Sequence, residues 1–128
     1  MPRQAATQQD ALRPLTAAQG CLTVIRGQAN AASFDLTPGV TLTIGRGPTN
    51  VVVLHDQGVS RHHARLEFVN GSWFITDLQS SNGTFVNGAR VTLQALRPGD
   101  QIQIEQNVLV FQAGAPVGAA QARRTLAG

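Results

Sequence analysis

Short apolar segments with a period of two recur through the middle of this chain. Leu22–Val24, Phe34–Leu36, Leu42–Ile44, Leu66–Phe68, Trp73–Ile75, Ile102–Ile104 and Val108–Val110 alternate or run briefly apolar, Val51–Leu54 is a continuous apolar run, and Phe85 stands among polar neighbours. That pattern belongs to strands that bury one face. No stretch within 21–113 keeps helical spacing for three turns. Between the segments lie Pro38-Gly39, Gly47-Pro48, Asn70-Gly71, Asn82-Gly83, Asn87-Gly88 and Pro98-Gly99. Asn-Gly predicts a two-residue hairpin, because type I′ turns need positive φ at both central positions. Strands this short and this evenly spaced predict an all-β fold, an antiparallel sandwich or barrel of roughly 90 residues.

The pattern stops at both ends. Residues 1–20 are rich in Gln, Ala and Thr, and residues 114–128 are small residues with a proline and two arginines. Both are expected to be flexible tails around a domain at 21–113.

Composition narrows the chemistry. The 128 residues amount to one domain, and a 42% hydrophobic content is enough for a core. Net charge is +3 with 13% charged residues, which fits neither a disordered polyampholyte nor a polycation. Every basic residue is arginine, which favours forked contacts with phosphate or carboxylate. The single cysteine, Cys21, excludes an internal disulfide framework and a multi-cysteine zinc site. No apolar run is long enough for a membrane span, and residues 1–20 have no apolar signal core, so a cytoplasmic protein without membrane insertion is expected.

In a sandwich, function sits on the loops at one end. Three loops carry unusual residues: Gly45-Arg46-Gly47, Ser60-Arg61-His62-His63 and Ser80-Ser81-Asn82-Gly83-Thr84. Ser60, His62, His63 and Asp56 are the residue types of a hydrolase triad. They crowd into eight positions without a nucleophile elbow, so they cannot orient one another for catalysis. A metal site from His55, Asp56, His62 and His63 is disfavoured because adjacent histidines on a strand face opposite ways. Gly45-Arg46-Gly47 lacks the rest of a nucleotide-binding loop. A phosphate reader fits better: Arg46, Ser60, Arg61, Ser81 and Asn82 offer guanidinium, hydroxyl and amide donors from three loops at one end.

Gly45-Arg46, Val59-Ser60-Arg61-His62-His63-Ala64, Asp77-Leu78 with Ser80-Ser81-Asn82-Gly83-Thr84, Val86-Asn87-Gly88 and Leu96 with Gly99-Asp100 resemble the forkhead-associated (FHA) domain family in order and spacing. The resemblance covers about residues 22–112 and is to a small bacterial-type single-domain member. It implies an all-β fold, an antiparallel β-sandwich of about 10–11 short strands, that binds phosphothreonine peptides and catalyses nothing, a known mode of peptide capture. It further implies roles for particular residues. Arg46 is similar to the family's phosphate-gripping arginine, Ser60 to its phosphate-bonding hydroxyl, and Arg61 to a further phosphate contact. Ser81 matches the position lining the threonine pocket, and Asn82 the asparagine that holds the ligand backbone. His63 matches a structural brace for the Ser60 loop, with Gly45 and Gly83 as support and His62 variable. Gly58 and Val59 fall where specificity is tuned toward residues C-terminal to the phosphothreonine. Where many members carry an acidic residue after the position of Leu54, this chain has His55 before Asp56.

The expected partners are a threonine-phosphorylated protein and the serine/threonine kinase that modifies it, met by a monomer with no cofactor, no metal and no nucleic acid. Two other functions stay open at this point, a nucleic-acid-binding β-barrel and a phospho-independent scaffold. Against the former stand 5% aromatic residues and aromatics placed on strand positions that read as buried. One further candidate lies in the N-terminal tail. Thr7, with Asp10 three residues on, resembles a ligand for the same site and is a possible regulatory phosphosite; the same spacing is also a helix capping box.

Overall fold

The alternation read along the chain folds into two sheets that close over one core. The computed structural model describes residues 19–113, and every regular element among them is a β-strand. In chain order these are β1 (Gly20–Arg26), β2 (Ser33–Leu36), β3 (Leu42–Gly45), β4 (Val52–Val53), β5 (Ala64–Val69), β6 (Ser72–Asp77), β7 (Thr84–Val86), β8 (Ala89–Val91), β9 (Leu93–Ala95), β10 (Gln101–Ile104) and β11 (Asn107–Ala113). One sheet has six strands in the order β2-β1-β11-β10-β7-β8, the other five in the order β4-β3-β5-β6-β9. Among the described residues no helix is long and apolar enough to cross a membrane.

The inward faces supply the core. Leu22, Ile102, Ile104, Leu109 and Phe111 from one sheet meet Ile44, Leu66, Trp73 and Ile75 from the other, all of them buried. Each fully buried aliphatic side chain contributes about 1.5–3 kcal/mol. The sandwich is thus a packed base from which the loops project. Phe68 packs tilted on Trp73 with ring centroids 5.4 Å apart.

Three details depart from the sequence expectation. First, β4 runs parallel to β3, with Ile44 opposite Val52, while the other strand pairs are antiparallel. The 46–51 segment loops out and re-enters in its original direction, fixed by the Val51 amide donating to Thr43 Oγ1 at 3.0 Å. Second, only two of the three Asn-Gly pairs close hairpins. Asn70 and Gly71 have φ of 49° and 86°, and Asn87 and Gly88 have 51° and 86°, as a type I′ turn requires. At the third pair only Gly83 is left-handed (93°), and the flanking β6 and β7 lie in different sheets, so Asn82-Gly83 sits in a crossover. Third, the aromatics are not all buried. Phe74 and Phe85 lie between inward-facing neighbours and point from the outer faces, half-buried.

Candidate ligand-binding loops

The crossover brings the 80–83 loop against the two loops leaving β3 and entering β5. Gly45 ends β3 at a close approach: a Cβ there would fall inside contact distance of the Arg61 carbonyl and 2.8 Å from Asn50 Nδ2, so only glycine fits. Just beyond it the Arg46 amide donates to the Ser60 carbonyl at 3.0 Å and the Gly47 amide to the Arg61 carbonyl at 3.1 Å. The Arg46 side chain is exposed, with Nε donating to the Val59 carbonyl at 3.1 Å. That bond fixes the plane of the guanidinium and leaves both Nη groups without a partner among the described residues.

Asn50 holds this corner from below. It is buried, and its Nδ2 donates to the carbonyls of Gly47 (2.7 Å) and Arg61 (2.8 Å). Arg61 is exposed, and its guanidinium has no hydrogen-bond or ion-pair partner among the described residues.

His63 is fully buried. Its Nδ1 accepts the Ser60 amide at 3.0 Å and its Nε2 meets the Gly83 carbonyl at 2.9 Å. The pair of partners sets the tautomer, with the proton on Nε2. One ring therefore ties the 60 loop to the 83 loop, while its neighbour His62 is exposed. On the outside of the same seam the Ser81 amide donates to Ser60 Oγ at 3.0 Å and Asn82 Nδ2 donates to the Gly58 carbonyl at 2.8 Å. The Ser60 hydroxyl keeps its own proton to donate. Val59 is buried, so only its backbone and the half-buried Gly58 are offered at this rim.

Asp77 organises the third loop. Its carboxylate accepts the Ser80 amide at 3.1 Å, the Ser80 hydroxyl, and the Thr84 hydroxyl at 2.7 Å, while Ser80 Oγ accepts the Gly83 amide at 3.0 Å. Burial pushes the carboxyl up. Hydrogen bonds from the Ser80 hydroxyl, the Thr84 hydroxyl and the Ser80 amide, with the nearby His63 ring, outweigh that and hold it below its ordinary value. Asp56 is engaged likewise, accepting the Gly58 amide at 2.9 Å and Asn107 Nδ2 at 3.2 Å. Among the described residues no group of three His, Cys, Asp or Glu side chains could hold a metal ion.

Arg46, Ser60, Arg61, Ser81 and Asn82 thus share one loop end with Gly45, Gly58, Val59, His63 and Gly83; Thr7 lies outside the described residues. Asn50, Asp77, Ser80 and Thr84 were not anticipated as its supports. Chemically this end suits an anion. Among the described residues it offers the Arg46 Nη groups, the unpaired Arg61 guanidinium and a hydroxyl proton, while Asp56 and Asp77 are turned inward onto the loops. The class defined is a β-sandwich with a cationic binding end built from loops.

The family model for the FHA domain matches residues 42–105, from β3 through the end of β10. An oxoglutarate dehydrogenase inhibitor of Corynebacterium efficiens is 39% identical over 97 residues, covering 76% of this chain and 68% of that protein. The glycogen accumulation regulator GarA of Mycolicibacterium smegmatis is 38% identical over 93 residues, 73% of this chain and 59% of its own length. The solved structure of Mycobacterium tuberculosis EmbR in complex with a low affinity phosphopeptide is similar with a TM-score of 0.68 and 30% identity, covering 89% of this chain and 30% of that one. The chain belongs to the FHA domain family.

Proposed function

We propose that this chain is a cytoplasmic, monomeric, non-catalytic module that docks onto threonine-phosphorylated partners of a serine/threonine kinase. The observation that carries this is the Arg46 guanidinium, held at Nε by the Val59 carbonyl with no partner on its Nη groups among the described residues, in a loop whose Arg46 amide meets the Ser60 carbonyl. The phosphate takes a forked contact from Arg46, a hydrogen bond from the Ser60 hydroxyl and a further contact from Arg61. Ser81 borders the threonine methyl, and Asn82, anchored on Gly58, turns its remaining amide groups to the ligand backbone. His63, Gly45 and Gly83 keep the loops in place. The described domain at 21–113 does this work, and enzymes are one class of partner, since the Corynebacterium relative is named an inhibitor of one.

The test is Arg46→Ala, titrated calorimetrically with a phosphothreonine peptide beside the native protein. A hydrogen bond to a charged group is worth about 1.5–3 kcal/mol. Losing two from a micromolar complex of roughly −8 kcal/mol puts the variant past detection. Near-equal affinities in two proteins with the same circular dichroism would remove Arg46 from the site. Binding of an unphosphorylated partner that survives the substitution would instead favour a phospho-independent scaffold.

A further inference from the structure

The outer face of the six-stranded sheet begins where the loop cluster ends. Phe85 on β7 stands opposite Arg90 on β8 and opposite Gln103 on β10. Residues directly opposite in antiparallel strands project from one face, and it is the outer one, because Thr84 and Val86 on either side of Phe85 are buried. Arg90 reaches back to the loop. A Cβ built on Gly83 would lie 2.8 Å from Arg90 Nε and 3.2 Å from Phe85 Cε1, so the guanidinium rests on the backbone next to Asn82. It is exposed, and no hydrogen-bond or ion-pair partner engages it among the described residues.

On the other side of Phe85 lies a groove of about 390 Å³, lined by Arg26, Phe85, Gln103, Glu105 and Gln106. The Glu105 side chain abuts Gly58, its Oε1 2.6 Å from a Cβ built there, and its carboxylate likewise has no partner among the described residues. A peptide held at the Asn82–Gly58 seam therefore passes between opposite unpaired charges, Arg90 beside Gly83 and Glu105 beside Gly58. An acidic residue is drawn to Arg90 and repelled by Glu105.

We infer that Arg90 is a specificity-determining residue, selecting partners with an aspartate or glutamate in the segment flanking the phosphothreonine. The inference rests on the phosphothreonine-docking function and adds to it a charge requirement on the partner. Arg90 fits the purpose better than a mobile surface arginine because its guanidinium lies on the Gly83 backbone, which lowers the entropy lost when a carboxylate arrives.

The experiment uses the full chain and a phosphothreonine peptide with alanine flanks. One aspartate, and separately one lysine, is walked through the four positions on each side, and affinity is read by fluorescence polarisation for the native protein, Arg90→Ala and Arg90→Glu. At one flanking position aspartate tightens native binding roughly three- to five-fold, the upper range for an exposed ion pair. Arg90→Ala cancels that gain relative to the all-alanine peptide, and Arg90→Glu moves the preference at the same position to lysine. A gain that survives Arg90→Ala overturns the assignment, as does native binding indifferent to aspartate everywhere. Failure of the native protein to bind any of the phosphothreonine peptides would overturn the docking function, and this inference with it.

Discussion

Replacing His63 by alanine is the sharpest perturbation of this loop end, because one buried ring joins two of its loops. The ring accepts the Ser60 amide and donates to the Gly83 carbonyl. Alanine strips a partner from each and leaves a cavity the size of an imidazole. A buried polar group without its partner costs about 1–3 kcal/mol. The Gly83 carbonyl pays this in full, while water reaches the half-buried Ser60 amide and offsets part of its loss. The sum is about 2–4 kcal/mol. At about 4–8 °C per kcal/mol for a domain of this size, Tm falls by roughly 8–32 °C. His63→Leu separates the contributions, since it refills most of the volume but pairs neither group; at least half of the loss should remain. His62→Ala is the control, an exposed side chain whose removal stays within about 0.5 kcal/mol. Thermal melts followed by circular dichroism give the ranking, and phosphopeptide titration below each Tm shows whether a loosened Ser60 weakens docking. An alanine variant melting within 3 °C of the native protein, or His62→Ala costing more than His63→Ala, would refute the brace.

Three more outcomes are expected. A phosphoserine version of a bound phosphothreonine peptide binds several-fold more weakly, because a buried methyl is worth about 0.8 kcal/mol and its loss also frees χ1; equal polarisation curves would remove the methyl pocket beside Ser81. The Asp77 carboxyl, held below its ordinary value in the folded chain, adds stability that is complete above about pH 4 and is lost as pH falls through the folded value. Urea midpoints of native protein and Asp77→Asn should therefore differ most near neutrality and converge below pH 4, and parallel curves would contradict this. Phosphate on Thr7 should weaken binding of free phosphopeptide by ~10–100-fold through a tethered ligand near millimolar effective concentration, with recovery on deleting residues 1–20; unchanged affinity with Thr7 fully phosphorylated, verified by mass spectrometry, leaves that segment a linker.

How much of this was legible depended on whether a residue's partner lies near it in sequence. Alternation placed the core strands because Leu22, Ile75 or Ile102 needs only a neighbour two residues away to declare its face. The strands β8 and β9 escaped because their side chains are largely exposed, so no buried face marked them. Asn-Gly spoke truly at Asn70 and Asn87, where the same chain doubles back. It misled at Asn82, where the Ser80 hydroxyl and the Gly83 amide serve a passage between sheets. Arg46, Ser60 and Asn82 were visible as chemically odd residues in glycine-rich loops. Of their supports, His63, Gly45 and Gly83 came with the family motif, but the roles of Asn50 and Asp77 did not, since a buried Asn50 or a half-buried Asp77 looks like any turn residue until the chain brings the Arg61 carbonyl or the Thr84 hydroxyl to it. The link from Asn107 to Asp56 spans 51 positions, and no local pattern encodes it.

That division has a physical consequence for binding. Each polar group that fixes the loops is engaged from beneath or from the side: Asn50 on two carbonyls, His63 across the seam, Asp77 on three donors, Arg46 Nε on Val59. Among the described residues of this loop end, the Arg46 Nη groups, the Arg61 guanidinium and the hydroxyl proton of Ser60 remain unpaired, with the Arg90 guanidinium and the Glu105 carboxylate at its flanks. A ligand arriving there meets donors already oriented, so little of its binding energy goes into ordering the protein. A single phosphate meeting a preformed fork is held by two or three charge-assisted bonds of about 1.5–3 kcal/mol each, roughly 3–9 kcal/mol together, and the cost of association offsets much of that. Tighter docking then has to come from flanking contacts, and the unpaired Arg90 beside Gly83 is where this surface has such a contact to give.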